Sequence, residues 1–190
     1  MTSDPATPKT LAARIKSGTR NGPKRHPVDC GHYDMRIGRD GTWYYRGSPI
    51  RRKPLVTLFS SVLKRDDSGQ FWLETPVERG RIDVDDAPFV AVALDASGAG
   101  ESQRLIFRTN LDENVTADRD HPIWVETDVA SGEPTPYIHV RDGLNALIAR
   151  PVYYQLADLA TGRPGDDTVL GVWSAGVFFE LGLAEDDDSC

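Results

Sequence analysis

The sequence predicts a mixed α+β protein with a duplicated core, in which two curved antiparallel sheets each pack on a helix. Three observations favour this class. Short alternating or continuous apolar segments, typical of strands, recur from Asp34 onward. Segments with helical spacing of apolar residues interrupt these strands. The order strand, turn, aromatic strand, short helix and strand meander occurs in both halves, which indicates a duplication despite negligible sequence identity between them.

Composition narrows the class of protein. Of the 190 residues, 39% are hydrophobic and 27% charged, as in ordinary globular proteins, and the net charge of −7 argues against a general nucleic-acid binder. No apolar run approaches the roughly 18 residues of a membrane span, and the first residues lack the apolar core of a secretory signal. The two cysteines, Cys30 and Cys190, show no metal-like spacing. We therefore expect a cytoplasmic, reduced protein.

The two ends of the chain carry opposite charge. Lys9 to Arg25 is basic without an acidic residue, and the tail "AEDDDSC" is acidic. Such blocks are typical of solvated arms. The alternative is a basic arm that contacts nucleic acid or an acidic patch on a partner.

The first half begins with a predicted helix, "TPKTLAARIKSG". Thr7 caps this helix, Pro8 occupies its first position and Gly18 ends it. The strands "DMRI" and "TWYY" follow, joined by a tight turn at Asp40-Gly41. A second helix, "PLVTLFSSVL", begins at Pro54, and its apolar residues recur at helical spacing. The predicted strands "QFWLET", "RIDV" and "FVAVAL" complete this half.

The second half repeats the pattern. The strands "RLIFRT" and "IWVET" are separated by the polar loop "NLDENVTADRDHP", and "PYIHV" is a third strand. "RDGLNALIAR" is predicted as a short helix, and "PVYYQLADLA" fits either a helix or a strand. "VLGVW" and "GVFFELG" close the chain as paired strands. We predict an N-terminal helix and linker over residues 1–27, a first α+β domain over 28–97 and a second over 98–190.

Four long phrases, in order and correctly spaced, resemble a bacterial family catalogued as domain of unknown function 1285. The resemblance covers about Asp34 to Leu159 and rests on "DMRIGRDGTWYYRGSPIRRKPLVTLFSSVL", "FWLETPVERGRIDVDDAPFVAV", "FRTNLDENVTADRDHPIWV" and "PYIHVRDGLNALIARPVYY". It implies a duplicated α+β core whose second half is superficially like a pleckstrin-homology domain. It also implies a nucleotide-like ligand at the seam between the halves, a role in signal transduction, and no established catalytic activity.

Patterns that carry catalysis or bind metals are weak in this chain. No Gly-x-Ser-x-Gly elbow occurs, and the four histidines are scattered without metal-ligand spacing. The acidic loop "DENVTADRDH" lacks the glycine and alternate spacing of a calcium loop. Asp83 and Asp85 share one strand face and, with His121, form a weak acid–base candidate. We therefore predict no enzyme activity, no metal and no cofactor.

A cluster of cations directly before a predicted helix is the strongest functional signal. Arg51, Arg52 and Lys53 precede Pro54, where the unpaired amides of a helix start attract anions. Guanidinium groups beside such amides form a ready anion site. The alternative, which the sequence leaves open, is neutralisation within the protein by nearby acids, namely Glu74, Glu78, Asp85 or Asp86.

The corresponding point of the second half holds Arg141 before its predicted helix and Arg150 at the end of that helix. If the halves face each other, these arginines and the first cluster converge on one phosphate-bearing ligand. The predicted ligand-binding set is Arg51, Arg52, Lys53, Glu78, Asp86, His121, Arg141 and Arg150. The leading hypothesis is a non-enzymatic module that binds an anionic or nucleotide-like molecule in signalling. The alternatives are a protein-interaction adaptor without a small ligand and, third, a weak enzyme that uses Asp83, Asp85 and His121.

Overall fold

A computed structural model describes residues 7–17, 27–127 and 132–183. Three features of the sequence lie outside the described residues. These are the predicted helix stop at Gly18, the basic residues from Arg20 to Arg25 and the acidic tail.

The chain divides into two compact units. The first comprises the chain up to Pro88 together with Asp142–Leu144, and the second comprises Phe89–Arg141 and the chain from Asn145 onward. The strand that starts at Phe89 therefore belongs to the second unit. The sequence prediction placed the boundary at 97/98, after this strand, because an apolar strand shows that it is buried but not which sheet it joins.

The first unit contains two helices and one six-stranded sheet. The helices are α1 (Pro8–Ser17) and α2 (Lys53–Ser60). The strands are β1 (Val28–Ile37), β2 (Trp43–Tyr45), β3 (Ser48–Pro49), β4 (Leu63–Arg65), β5 (Phe71–Glu74) and β6 (Glu78–Val84). Their order in the sheet is β3-β2-β1-β6-β5-β4, so two three-stranded meanders meet at β1 and β6.

The second unit contains one helix and two sheets. The strands are β7 (Phe89–Ser97), β8 (Arg104–Thr109), β9 (Asn114–Thr116), β10 (Ile123–Thr127), β11 (Pro134–Arg141), β12 (Leu144–Ile148), β13 (Thr161–Arg163), β14 (Asp166–Ser174) and β15 (Val177–Leu183). The helix is α3 (Arg150–Ala157). The six-stranded sheet has the order β10-β11-β12-β7-β8-β9, and β13-β14-β15 form the smaller sheet.

The expectation of antiparallel sheets is wrong at the centre of each large sheet. β1 pairs with β6 in parallel, and β7 pairs with β12 in parallel. In both units the first strand of one meander lies beside the last strand of the other. Local turn signals predict only the antiparallel neighbours within a meander, because a parallel pair is closed by a long connection that leaves no local signal.

The likeness between the two halves extends to a series of smaller elements. An Arg-Asp-Gly turn precedes a strand at residues 39–41 and again at 141–143, and a helix of eight residues follows each turn later in the chain. Both helices start with a cation and a proline, Lys53-Pro54 in α2 and Arg150-Pro151 in α3. Proline is favoured in the first helical turn because its missing N–H is not needed there. The likeness to a pleckstrin-homology domain is not confirmed.

The predicted helix over "RDGLNALIAR" is wrong. Residues Leu144–Ile148 form strand β12, and the ambiguous segment that follows is the helix α3. Asp142 and Gly143 both have positive φ and form the two-residue turn typical of a hairpin. Burial alternates along β12, which is strand periodicity. Arg150 consequently begins α3 rather than ending the predicted helix.

The core of the first unit holds α2 against the sheet. Phe59 is fully buried, and its ring centroid lies 6.1 Å from that of Trp43 on β2. Leu11 of α1 is also fully buried. Burial of a large apolar side chain contributes roughly 1.5–3 kcal/mol, so these contacts decide where the two helices lie. Among the described residues, no helix combines the length and apolarity needed to cross a membrane.

The turn between β4 and β5 supplies a pH-dependent stability prediction. The Asp66 carboxylate accepts hydrogen bonds from the hydroxyl and backbone N–H of Ser68, the indole N–H of Trp72 and the backbone N–H of Gln70, which lower its pKa to about 2. Because the pKa is lower when folded, the stabilisation is present above the unfolded pKa of about 3.8 and is lost as the pH falls toward 2.

We therefore expect Asp66→Asn to show a weaker loss of unfolding free energy between pH 4 and pH 2 than the parent protein. Chemical denaturation at several pH values measures this difference. Asp67→Asn is the matched control, because it makes the same charge change and leaves the hydrogen bonds to Asp66 intact. Identical pH profiles for Asp66→Asn and the parent protein would contradict the assignment.

Candidate functional site

The start of α2 brings the predicted cations to the surface. Arg52 is the N-cap residue, with extended backbone angles of φ −84° and ψ 94°. No side chain caps the helix, and Arg51, Arg52 and Lys53 are all exposed. Pro54 suits the first turn of this helix, because its φ is fixed near the helical value and its missing N–H is not needed there.

The start of α2 offers an anion fewer free backbone N–H groups than the sequence suggests. Pro54 has no N–H, and the N–H groups of Leu55 and Val56 both donate to the carbonyl of Arg52, at 2.9 and 3.2 Å. These first-turn amides are therefore satisfied within the helix. Recognition of an anion at this point depends mainly on side chains.

Two of the three clustered cations lack partners in the described ranges of the chain. Within the part of the chain that the structure describes, the side chains of Arg51 and Arg52 form no ion pair and no hydrogen bond. Lys53 does interact with another group, so it is not one of the unpaired cations. Placing unpaired cations at the positive end of a helix is locally unfavourable by a few tenths of a kcal/mol each, which a bound anion offsets.

The acids proposed as internal partners are engaged elsewhere. Each acid is paired with another cation. Glu74 lies 2.7 Å from Lys64, and Glu78 lies 2.7 Å from Arg14. Asp86 lies 3.0 Å from Arg39, and Asp85 is paired with Arg36. None of these acids neutralises Arg51 or Arg52. Sequence separation alone does not predict this outcome, because the register of the strands decides which cation each acid meets.

A cavity lies directly beside the cations. Its volume is about 290 Å³. It is lined by Lys9, Ala12, Ala13, Lys16, Arg52, Pro54, Leu55 and Leu58, which come from α1 and α2. Among the described residues, the lining includes three cations and no acid. The other lining residues are apolar, so the cavity combines positive charge with an apolar surface.

A second cavity adjoins the first through shared residues. Its volume is about 440 Å³, and both cavities are lined by Lys9 and Leu55. The remaining lining residues are Thr7, Pro8, Tyr45, Ser48, Pro49 and Ile50. This second lining is mostly apolar and contains no acid. Both volumes are close to the range of small-molecule sites.

Helix α1 forms one wall of these cavities and is held by an ion pair whose carboxylate is largely buried. The guanidinium of Arg14 lies 2.7 Å from Oε2 of Glu78, whose side chain is 9% exposed. Oε1 of Glu78 and the hydroxyl of Tyr33 are buried without a hydrogen-bond partner among the described residues. Burial, and secondarily the charge of Glu78, raise the pKa of Tyr33. Glu78, a predicted ligand residue, therefore anchors α1.

The remaining predicted ligand residues all have partners. Asp86 lies 3.0 Å from Arg39 in the first unit, and the other three residues lie in the second unit. Nδ1 of His121 lies 2.9 Å from Asp118, and Arg141 is paired with Glu113. Nε of Arg150 donates to the hydroxyl of Tyr154 at 2.6 Å. The convergence of these arginines with Arg51 and Arg52 on one ligand stays a prediction.

The acids suggested for catalysis are also engaged. Asp83 lies 3.2 Å from Nε2 of His32, and Asp85 is paired with Arg36. Nδ1 of His32 accepts the backbone N–H of Asp34 at 3.0 Å, so the proton of the neutral ring lies on Nε2 and faces Asp83. Within the described ranges, His, Cys, Asp and Glu form no group of three that would hold a metal.

Sequence reasoning missed the contribution of α1. Lys9 and Lys16 line the cavity beside Arg52, yet the sequence analysis treated them as part of a solvated basic arm. The absence of acids between Lys9 and Arg25 was the available signal. It did not predict which helix these lysines approach, because that depends on the burial of Leu11 and on the Arg14–Glu78 ion pair.

The fold and the cavities define a class: a two-unit α+β protein with repeated meanders and a cationic groove in its first unit. Two family profiles identify the family. Residues 23–87 match "Domain of unknown function (DUF1285), N-terminal domain", and residues 88–181 match "Protein of unknown function (DUF1285), C-terminal domain". Together they span most of the chain, which belongs to the DUF1285 family. No curated protein matches it.

Solved structures agree with this assignment. A crystal structure of a DUF1285 family protein from Silicibacter pomeroyi is 46% identical, covers 92% of this chain and 96% of its own, and gives a TM-score of 0.81. A second, from Shewanella baltica, is 24% identical, covers 65% of this chain and 90% of its own, and gives a TM-score of 0.51. The second similarity concerns the fold alone.

Proposed function

We propose that this DUF1285 protein is a non-enzymatic binding module whose first unit recognises an anionic small molecule at the start of α2. Arg51 and Arg52 contact the negative group, and Lys9 and Lys16 add positive charge from α1. A nucleotide or another phosphate-bearing molecule carries suitable charge. Occupancy of this site is the signal that the protein transmits.

One observation carries the proposal. Arg51 and Arg52 are unpaired within the described residues, although every nearby acid that sequence analysis suggested as a partner is engaged by another cation. Arg52 also lines a cavity that contains two further cations and no acid. Guanidinium groups bind phosphate and carboxylate through paired hydrogen bonds, and such charge-assisted bonds are the strong ones.

The double variant Arg51→Gln/Arg52→Gln tests this proposal. Each charge-assisted hydrogen bond contributes about 1.5–3 kcal/mol, so losing both arginines is expected to weaken binding at least about a hundredfold. Calorimetry with inorganic phosphate and a panel of nucleotides measures the change. Arg81→Gln is the matched control, because Arg81 is an exposed cation of the same unit outside both cavities.

Other outcomes favour the alternative functions. If no anion binds and one protein partner co-purifies with the chain, the adaptor hypothesis replaces the ligand hypothesis. If the protein turns over a substrate and His121→Ala abolishes turnover, the non-enzymatic assignment is overturned. Equal anion binding by the double variant and the parent protein would show that the anion site is not at the start of α2.

A further inference from the structure

The groove along α1 and α2 combines two chemically different parts. The cavity beside Arg52 carries the cations Lys9, Lys16 and Arg52, and the adjoining cavity is mostly apolar. The parts share Lys9 and Leu55, so a single molecule is able to occupy both. A ligand that matches this groove carries a negative head and an apolar tail.

We propose that the ligand of the first unit is an amphiphilic anion, a single aliphatic chain that ends in a phosphate or carboxylate. The head lies among the cations of the smaller cavity. This inference rests on the function proposed above and deepens it by naming the class of ligand. Charge complementarity supports it, because no acidic residue of the described ranges lines either cavity and would repel the head.

The tail lies in the larger cavity, against Tyr45, Pro49 and Ile50. The larger cavity has a volume of about 440 Å³, which sets an upper limit on the length of the aliphatic chain that it accommodates. A nucleotide base fits this part less well, because a base presents several hydrogen-bonding groups and the lining is mostly apolar. Its polar side chains are Thr7, Lys9, Tyr45 and Ser48.

Binding of such a molecule also holds α1 in place. The tail and head contact residues of both helices, so the occupied groove adds to the attachment that Leu11 and the Arg14–Glu78 ion pair supply. A ligand that binds only the docked arrangement stabilises that arrangement in proportion to its concentration. The position of α1 thus reports whether the ligand is present.

The experiment measures binding of alkyl phosphates from butyl to decyl phosphate, each below its micelle concentration, to the full chain by calorimetry. Inorganic phosphate and AMP serve as references. We expect affinity to rise up to about fourfold for each buried methylene and then to reach a plateau when the tail fills the cavity. Decyl phosphate is also expected to slow proteolytic cleavage within α1.

Two variants separate the tail from the head. Ile50→Asp is expected to abolish the gain with chain length, measured relative to the binding of inorganic phosphate by the same variant. Arg51→Gln/Arg52→Gln is expected to weaken binding of every member of the series. Val77→Asp is the matched control for the first variant, because Val77 is an exposed apolar residue of the same unit outside both cavities.

The results distinguish failure of this inference from failure of the proposed function. If phosphate or AMP binds as tightly as decyl phosphate and depends on Arg51 and Arg52, the amphiphile is rejected and the anion site stands. If affinity rises with chain length without a plateau, the tail adsorbs non-specifically and the inference is overturned. If no anion binds, both proposals fail. The chain-length series on the parent protein decides the question even if Ile50→Asp does not fold.

Discussion

Gly171→Ala is expected to destabilise the second unit by about 3 kcal/mol. A Cβ at this position would lie 2.3 Å from the carbonyl oxygen of Phe179 and 2.7 Å from the ring of Phe178. The first of these atoms belongs to the backbone of the paired strand β15, so relief requires the two strands to separate. Overpacking in a rigid environment costs typically 1–3 kcal/mol, and a backbone contact belongs at the upper end.

Thermal unfolding measures this effect, and a loss of about 3 kcal/mol lowers the midpoint by more than about 10 °C in a domain of this size. Gly182→Ala is the matched control. Gly182 lies in β15, and the same glycine-to-alanine change there adds a Cβ that meets nothing within 4 Å. Equal midpoints for the two variants would show that the backbone approach at Gly171 is not a constraint.

Phe59→Ala is expected to cost the first unit about 3–5 kcal/mol, the range for truncating a fully buried aromatic side chain. Phe59 has no exposed surface and packs against Trp43. A helix of eight residues is unstable alone, so α2 exists because this contact holds it on the sheet. Loosening α2 also displaces Arg51 and Arg52, and we expect anion binding to weaken in parallel.

Denaturant unfolding measures the stability change, and calorimetry with phosphate measures the binding change. Thr57→Ala is the control, because Thr57 is an exposed residue of the same helix and alanine is a good helix former. A loss below about 1 kcal/mol in Phe59→Ala would mean that α2 is held by other contacts. Unchanged phosphate binding in a destabilised variant would separate the site from the packing of α2.

The candidate site shows how far sequence reasoning reaches. A run of three cations before a proline indicates a helix start and a positive patch, and both are present. Charge pairing was left open, because it depends on which strands are neighbours. Lys64 meets Glu74 across the β4–β5 hairpin, which is a local pairing. Arg14 reaches Glu78 over 64 positions of sequence, and no spacing rule predicts that pair.

The amino-acid sequence by itself determined the α+β class, the presence of a helix that starts at Lys53-Pro54, and most hairpins, because periodicity and turn chemistry act over a few residues. Only the tertiary structure decided the parallel pairing at the centre of each large sheet and the strand character of Leu144–Ile148. It also decided that α1 supplies Lys9 and Lys16 to the groove. These features come from contacts between residues far apart in the chain, where burial outweighs local preference.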